Sequence, residues 1–259
     1  MMSLPQKITV EVSEMPKLKN PKLVCGLPGS GFVGKLAVDY LIEELKGVQF
    51  ANIFSSSFPP QVLIQPDGTT DLMKNTLYYC KSKTNDIVLL AGDAQPVSPE
   101  SEYAMAEEIA KICEKLGIET VYTLAAYITG TFSKIPKVYG TSTSLKVVNE
   151  FSKQGVFTMN NGSITGMNGL IIGVGKTKGI TGICLLGETS GYVVDAIASK
   201  AVLEILSKML GIKLDMTSLS KKAQDTEKLI KTIEDQMGQR PSGEPLPLSQ
   251  QDKKLGYIS

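Results

Sequence analysis

The chain has 259 residues, 42% of them apolar and 20% charged, with 27 basic side chains against 26 acidic ones. That length buries a full core as one large α/β domain or two small ones, and a near-zero net charge gives no strong pull toward nucleic acid or an anionic membrane. There is no His, and Arg240 is the sole Arg, which excludes Ser-His-Asp and Cys-His nucleophile systems within one chain, His-ligated zinc, and nearly all bidentate Arg clamps.

Ile8–Val12 alternates apolar and polar and predicts a strand at a sheet edge, where a signal peptide would instead show an unbroken apolar run. Leu23-Val24-Cys25 predicts a short buried strand running into Gly26-Leu-Pro-Gly-Ser-Gly31. Helical periodicity follows, with Phe32, Leu36, Val38, Leu41, Ile42 and Leu45 on one stripe. Val48–Phe54 is the next strand. Val62–Ile64 and Leu72–Tyr79 flank Pro66-Asp67-Gly68, whose Asp-Gly pair predicts a hairpin. Residues 86–91 form a buried strand ending in Gly92-Asp93-Ala94-Gln95. A helix capped by Ser98 or Ser101 then runs to about Leu116 and stops at Gly117.

Glu119–Ala126 is again a strand, and Ser144–Phe151 a shorter helix. The Gly- and Asn-rich run Val156–Val174 predicts turns and short strands. Ile180–Leu186 predicts a strand, followed by a long helix from about Tyr192 to Leu210. Strand–helix alternation with apolar strands argues for an α/β fold, a largely parallel sheet with helices on both faces. Residues 1–214 are expected to make this core. Residues 215–238 form an amphipathic helix on which Leu219, Ala223, Thr226, Ile230, Ile233 and Met237 make an a/d seam. Packing on its own core and pairing with a second copy both suit the seam, and the Pro-rich tail beyond it tilts the expectation toward subunit pairing.

Two phosphate-loop patterns fall short. Gly29-Ser-Gly31-Phe-Val-Gly34 is a literal G-x-G-x-x-G after a strand, but Phe54-Ser-Ser-Ser57 stands where the ribose-binding acid is required. The preferred reading is a tight turn and close helix–sheet contact. Gly173-Val-Gly175-Lys176-Thr177 lacks its first glycine, because position 170 is Leu. At the carboxyl ends of parallel strands, Gly29, Gly31, Asp93, Gln95, Thr129 and Glu188 are candidates for a shared cleft. Such a cleft would suit a carboxylate-based nucleoside hydrolase or phosphorylase, or a nucleotide sensor. The competing reading, preferred here, has Asp93 and Glu188 capping the helices that follow them. Cys25, Cys80, Cys113 and Cys184 are scattered through apolar runs and predict reduced core thiols in a cytoplasmic protein. No segment approaches the roughly 18–20 apolar residues of a membrane span, and no cofactor or metal is expected.

Residues 239–259 form a Pro-rich tail, predicted to be flexible, that ends Leu255-Gly-Tyr257-Ile258-Ser259. A solvated tether bringing a Tyr ring and a carboxylate to another protein's pocket is one reading, and a frayed end with a stray Tyr is the other.

Four segments occur in order: Cys25–Ala37 (CGLPGSGFVGKLA), Ala91–Pro96 (AGDAQP), Gly162–Leu170 (GSITGMNGL) and Leu186–Tyr192 (LGETSGY). Together they resemble the archaeal branch of the proteasome assembly chaperone family. The resemblance spans roughly residues 7–212. It implies a fold akin to nucleoside phosphorylases without known catalysis, a homo-oligomer (a tetramer by preference), and binding to proteasome α subunits or the assembled α ring. It also gives the tail a meaning, since proteasome activators and some members of the family end in an apolar residue, Tyr and any residue, docked between α subunits. Here Gly256 precedes Tyr257, so Leu255 or Ile258 would supply the apolar contact, with the Ser259 carboxylate on a pocket Lys.

Overall fold

The computed structural model describes residues 8–238, with side chains up to Lys231. Eleven strands are present among these residues: β1 Ile8–Val12, β2 Lys22–Gly26, β3 Val48–Ser55, β4 Val62–Ile64, β5 Thr70–Leu72, β6 Asn75–Cys80, β7 Ile87–Gly92, β8 Thr120–Ile128, β9 Val138–Ser142, β10 Phe157–Thr158 and β11 Thr181–Thr189. Six helices accompany them: α1 Val33–Glu44, α2 Pro99–Leu116, α3 Leu145–Gln154, α4 Met167–Thr177, α5 Ala196–Leu210 and α6 Thr217–Gly238.

Nine strands form one mixed sheet in the order β1-β3-β6-β7-β2-β8-β11-β9-β10, and β4 with β5 makes a separate hairpin. Strands β7, β2, β8 and β11 run parallel and occupy the centre. The flank β1-β3-β6-β7 is antiparallel. Apart from the short parallel pair β9–β10 at one edge, the parallel character belongs to the central strands, whose apolar residues are covered from both sides as a parallel sheet requires. Val24 faces one core with Ala37, Val202 and Phe151 beneath α1, α3 and α5. Leu23 and Cys25 face the opposite core with Met105, Ile109 and Ile171 beneath α2 and α4. The period-2 alternation of a strand supplies both layers from one five-residue segment.

Most predicted elements stand where the sequence puts them, and four differ. Phe32, expected on the buried stripe of α1, is 39% exposed, because Gly31 (φ 60°) and Phe32 (φ 52°) turn left-handed ahead of the helix. The predicted strand Leu72–Tyr79 is two strands split at Met73-Lys74: β5 completes the Asp67-Gly68 hairpin, and β6 enters the main sheet. The long helix starts at Ala196 rather than Tyr192, with Asp195 as its cap. Helix α4 was expected to be turns and short strands. Its glycines lower helix propensity, but Met167, Ile171 and Ile172 are buried, and the helix packs on α2, β8 and β11. Tertiary burial outweighs propensity there. A side chain at Gly182 on β11 would lie 2.4 Å from Ile172, so the glycine lets the helix approach. Gly173–Thr177 consequently lies inside α4, and its amides serve the helix ladder.

Helix α6 lies against α5 of its own chain. Leu219 and Ala223 join the core under α5, and Thr226 and Ile230 are also buried. Those four seam positions are covered within the chain. The side chains of Ile233 and Met237 lie outside the described residues.

Candidate functional site

At the carboxyl end of the parallel strands, the 26–31 loop, the end of β8, the start of α2 and the segment leading into α4 enclose a cleft of about 760 Å³. Such a position, at the strand ends of an open α/β sheet, is where ligands usually bind. Of the six residues expected there, Gly29 and Gln95 line it. Gln95 fixes its geometry, because its Nε2 donates to the Pro28 carbonyl at 2.6 Å and its Oε1 accepts from the Met167 amide at 2.9 Å. One side chain thus ties the glycine loop to the first turn of α4.

The other four lie elsewhere. Gly31 is buried, and a side chain there would press on Thr189, Asp195 and the Val193 carbonyl. Thr129 is exposed on the rim and bonded to Thr131 and the Thr189 carbonyl. Asp93 and Glu188 do neither of the jobs expected of them. The Asp93 carboxylate accepts from the Lys74 amide at 3.0 Å while the Asp93 amide donates to the Lys74 carbonyl. Glu188 repeats this pattern with Lys137, carboxylate to amide at 3.0 Å and amide to carbonyl at 2.9 Å. Each acid clamps the neighbouring strand just where it enters the sheet, β6 in one case and β9 in the other. Helix capping falls instead to Ser98, which accepts from the Ser101 amide, and to Asp195, which accepts from Ala198. Asp195 also accepts from Thr189 Oγ1 at 2.7 Å, so the cap of α5 is tied to the end of β11.

The cleft wall contains residues that motif spacing does not reveal. Among the described residues, Glu102, from the first turn of α2, is the only acidic or basic side chain that lines it. Tyr127, Met159 and Ile164 make an aromatic and apolar side backed by Tyr139, whose ring centroid is 4.2 Å from that of Tyr127. Asn168 is nine-tenths buried, and its Oδ1 has no hydrogen-bond partner. An unpaired buried amide group costs about 1–3 kcal/mol. The signal for Asn168 was present in Met167-Asn168 followed by Ile171-Ile172, a helical spacing obscured by the surrounding glycines.

Nucleophilic chemistry has little to draw on. All four cysteines are buried and free. Burial pushes Cys80 up to about 11 and Cys113 and Cys184 up to about 12, so these thiols stay protonated near neutrality. Burial raises Cys25 as well. Among the described residues, no group of three His, Cys, Asp or Glu side chains is placed to hold a metal, and no helix is long and apolar enough to cross a membrane. The expected binding residues Leu255, Tyr257, Ile258 and Ser259 lie outside the described residues.

With this geometry in hand, the relatives are informative. The model of the PAC2 family matches residues 23–234. The uncharacterized protein MJ1210 of Methanocaldococcus jannaschii is 40% identical over 234 residues, 90% of either chain. The crystal structure of Pyrococcus furiosus PbaB, an archaeal proteasome activator, matches with a TM-score of 0.82 at 35% identity, covering 88% of this chain and 98% of that one. PbaA from the same organism, an archaeal homolog of proteasome-assembly chaperone, matches with a TM-score of 0.72 at 30% identity over 90% and 98% of the two chains. With its core strands, both helical layers and α4 all inside the matched span, the chain belongs to the PAC2 family.

Proposed function

We propose that this protein is a non-catalytic partner of the proteasome that binds α subunits or the assembled α ring in the cytoplasm, partly through Leu255, Tyr257, Ile258 and Ser259. The observation that carries the reading is the 35% identity to an archaeal proteasome activator, sustained over nearly the whole of that chain. Two features support it. Among the described residues, the strand-end acids Asp93 and Glu188 are engaged as strand clamps, and all four thiols are buried. The sequence after α6 carries Pro241, Pro245 and Pro247 ahead of Leu255–Ser259, a composition suited to a tether.

Residues 239–259 span at most about 70 Å when extended, enough to carry a Tyr to a pocket on a neighbouring ring. A single short segment of this kind binds weakly. Several on one symmetric body gain avidity when their spacing matches the ring pockets. Self-association into a homo-oligomer, with a tetramer as the working state, is therefore part of the reading. Any contribution of α6 to it would use the surface that α5 leaves free.

The test is native mass spectrometry of the full chain mixed with proteasome α subunits from the same organism. A mass corresponding to this protein bound to α subunits or to an α ring is expected. Spectra holding only the separate components at micromolar concentrations would overturn the proposal.

A further inference from the structure

The β4–β5 hairpin stands outside the main sheet and turns apolar side chains toward solvent. Val62 on β4 lies opposite Leu72 on β5, and Ile64 opposite Thr70. Strand alternation sends Leu63 inward, where it packs on the core that holds Phe58 and Met73, and sends Val62, Ile64 and Leu72 to the other face. These three side chains are 51%, 69% and 65% exposed. Solvent-facing strand positions ordinarily carry polar residues, and a two-stranded ribbon has little stability of its own. An apolar outer face on such a ribbon calls for a covering layer.

A groove of about 630 Å³ adjoins this face. Val62 and Leu72 form one wall, and Thr9 of the edge strand β1, Phe54 at the end of β3, and Phe58 and Pro60 beyond it complete the lining. Among the described residues, none that lines the groove is acidic or basic.

Three features fit a second copy of this chain as the cover. A two-fold axis brings every charged group toward its own image, where like charges repel, so a charge-free patch is what such a contact tolerates. Apolar ridge and apolar groove lie side by side on one patch, so each copy offers what the other receives. A stable pair buries about 800 Å² on each partner, with an apolar centre and a polar rim. Hairpin and groove supply that centre, and Gln61 and Thr70 are exposed at its margin.

We propose that the outer face of the β4–β5 hairpin is a contact between two copies of this chain, with Val62, Ile64 and Leu72 of each lying against the hairpin and groove of the other around a two-fold axis. The inference rests on the self-association contained in the proposed function and gives it a surface.

Sedimentation velocity of the full chain from about 1 to 100 µM tests it. The wild type should run as a dimer or a multiple of one. Ile64→Lys and Leu72→Lys should each raise the dissociation constant at least about a hundredfold, because a substitution beside a two-fold axis counts twice. Ile135→Lys is the control: that residue is 87% exposed in the loop after β8, four strands across the sheet from β3, and its loss should leave association unchanged. Circular dichroism establishes that each variant is folded, and either hairpin variant decides the matter if the other is not. Unchanged association in a folded hairpin variant, or an equal loss in Ile135→Lys, would overturn the inference and leave self-association to another surface. A wild type that stays monomeric throughout would overturn the inference and the self-association together, while α-subunit binding keeps its own test.

Discussion

At the scale of single residues, carboxylates hold strand ends and turns together. Asp86 is the clearest case. It is 2% exposed and accepts from the Lys19 amide at 2.7 Å, the Ser82 amide at 3.0 Å and the Lys81 ammonium at 3.0 Å. Burial works to raise its carboxyl, but these hydrogen bonds and the Lys81 charge outweigh it and hold the group below its ordinary value of 3.8. The sign of the linkage follows. A depressed folded value contributes stability that is present above the unfolded value and is lost as pH falls through the folded one. Asp86→Ala should cost about 2–3 kcal/mol at neutral pH, because two amides and an ammonium lose one shared acceptor. Urea unfolding from pH 7 downward checks this. Wild type should lose part of its advantage over the variant below pH 3.8, and a constant difference down to the most acid point would contradict the assignment.

At the scale of elements, glycines decide how closely helix and sheet approach. The G-x-G-x-x-G run works as the structural reading expects, with Gly31 in the left-handed turn and Gly34 at the contact. A Cβ on Gly34 would lie 2.0 Å from the Leu124 carbonyl oxygen, so Gly34→Ala must push α1 off β8. A loss of about 2–3 kcal/mol is expected in chemical denaturation, and an unchanged midpoint would show that α1 has room to move. Helix α6 makes an opposite kind of contact. Leu219 is 1% exposed in the core under α5, so Leu219→Ala should cost about 3 kcal/mol even in a dilute monomer. A cost that appears only at high protein concentration would place the seam between subunits instead.

These elements also show what was legible beforehand. The apolar strands, the Asp67-Gly68 turn, the Ser98 cap and the Gly117 stop are local signals, and they stand in the structure. Helix α4 was not legible, since its stability comes from burial against α2, β8 and β11 rather than from its own residues. Missing α4 hid the place of Asn168 on the cleft wall. The roles of Asp93 and Glu188 were hidden for a related reason: the partners Lys74 and Lys137 are distant in sequence and arrive by sheet pairing.

At the scale of the whole molecule, a two-faced α/β body of the PAC2 family ends in a helix laid along its own core, followed by a segment with Tyr257 near its end. If the proposed homo-oligomer forms, multivalent display would turn a weak segment into a useful ligand for a ring. Deleting Tyr257–Ser259 should therefore weaken binding to the α ring by at least about tenfold while leaving the protein's native mass and melting temperature unchanged. The measurement that tests the central claim most directly is surface-based binding of the full chain and of a chain ending at Gly256 to immobilised α rings from the same organism. The account predicts saturable binding by the full chain and much faster dissociation after truncation. No binding by either chain would contradict the proteasome assignment, and equal binding by both would place the contact on the folded body instead of the tail.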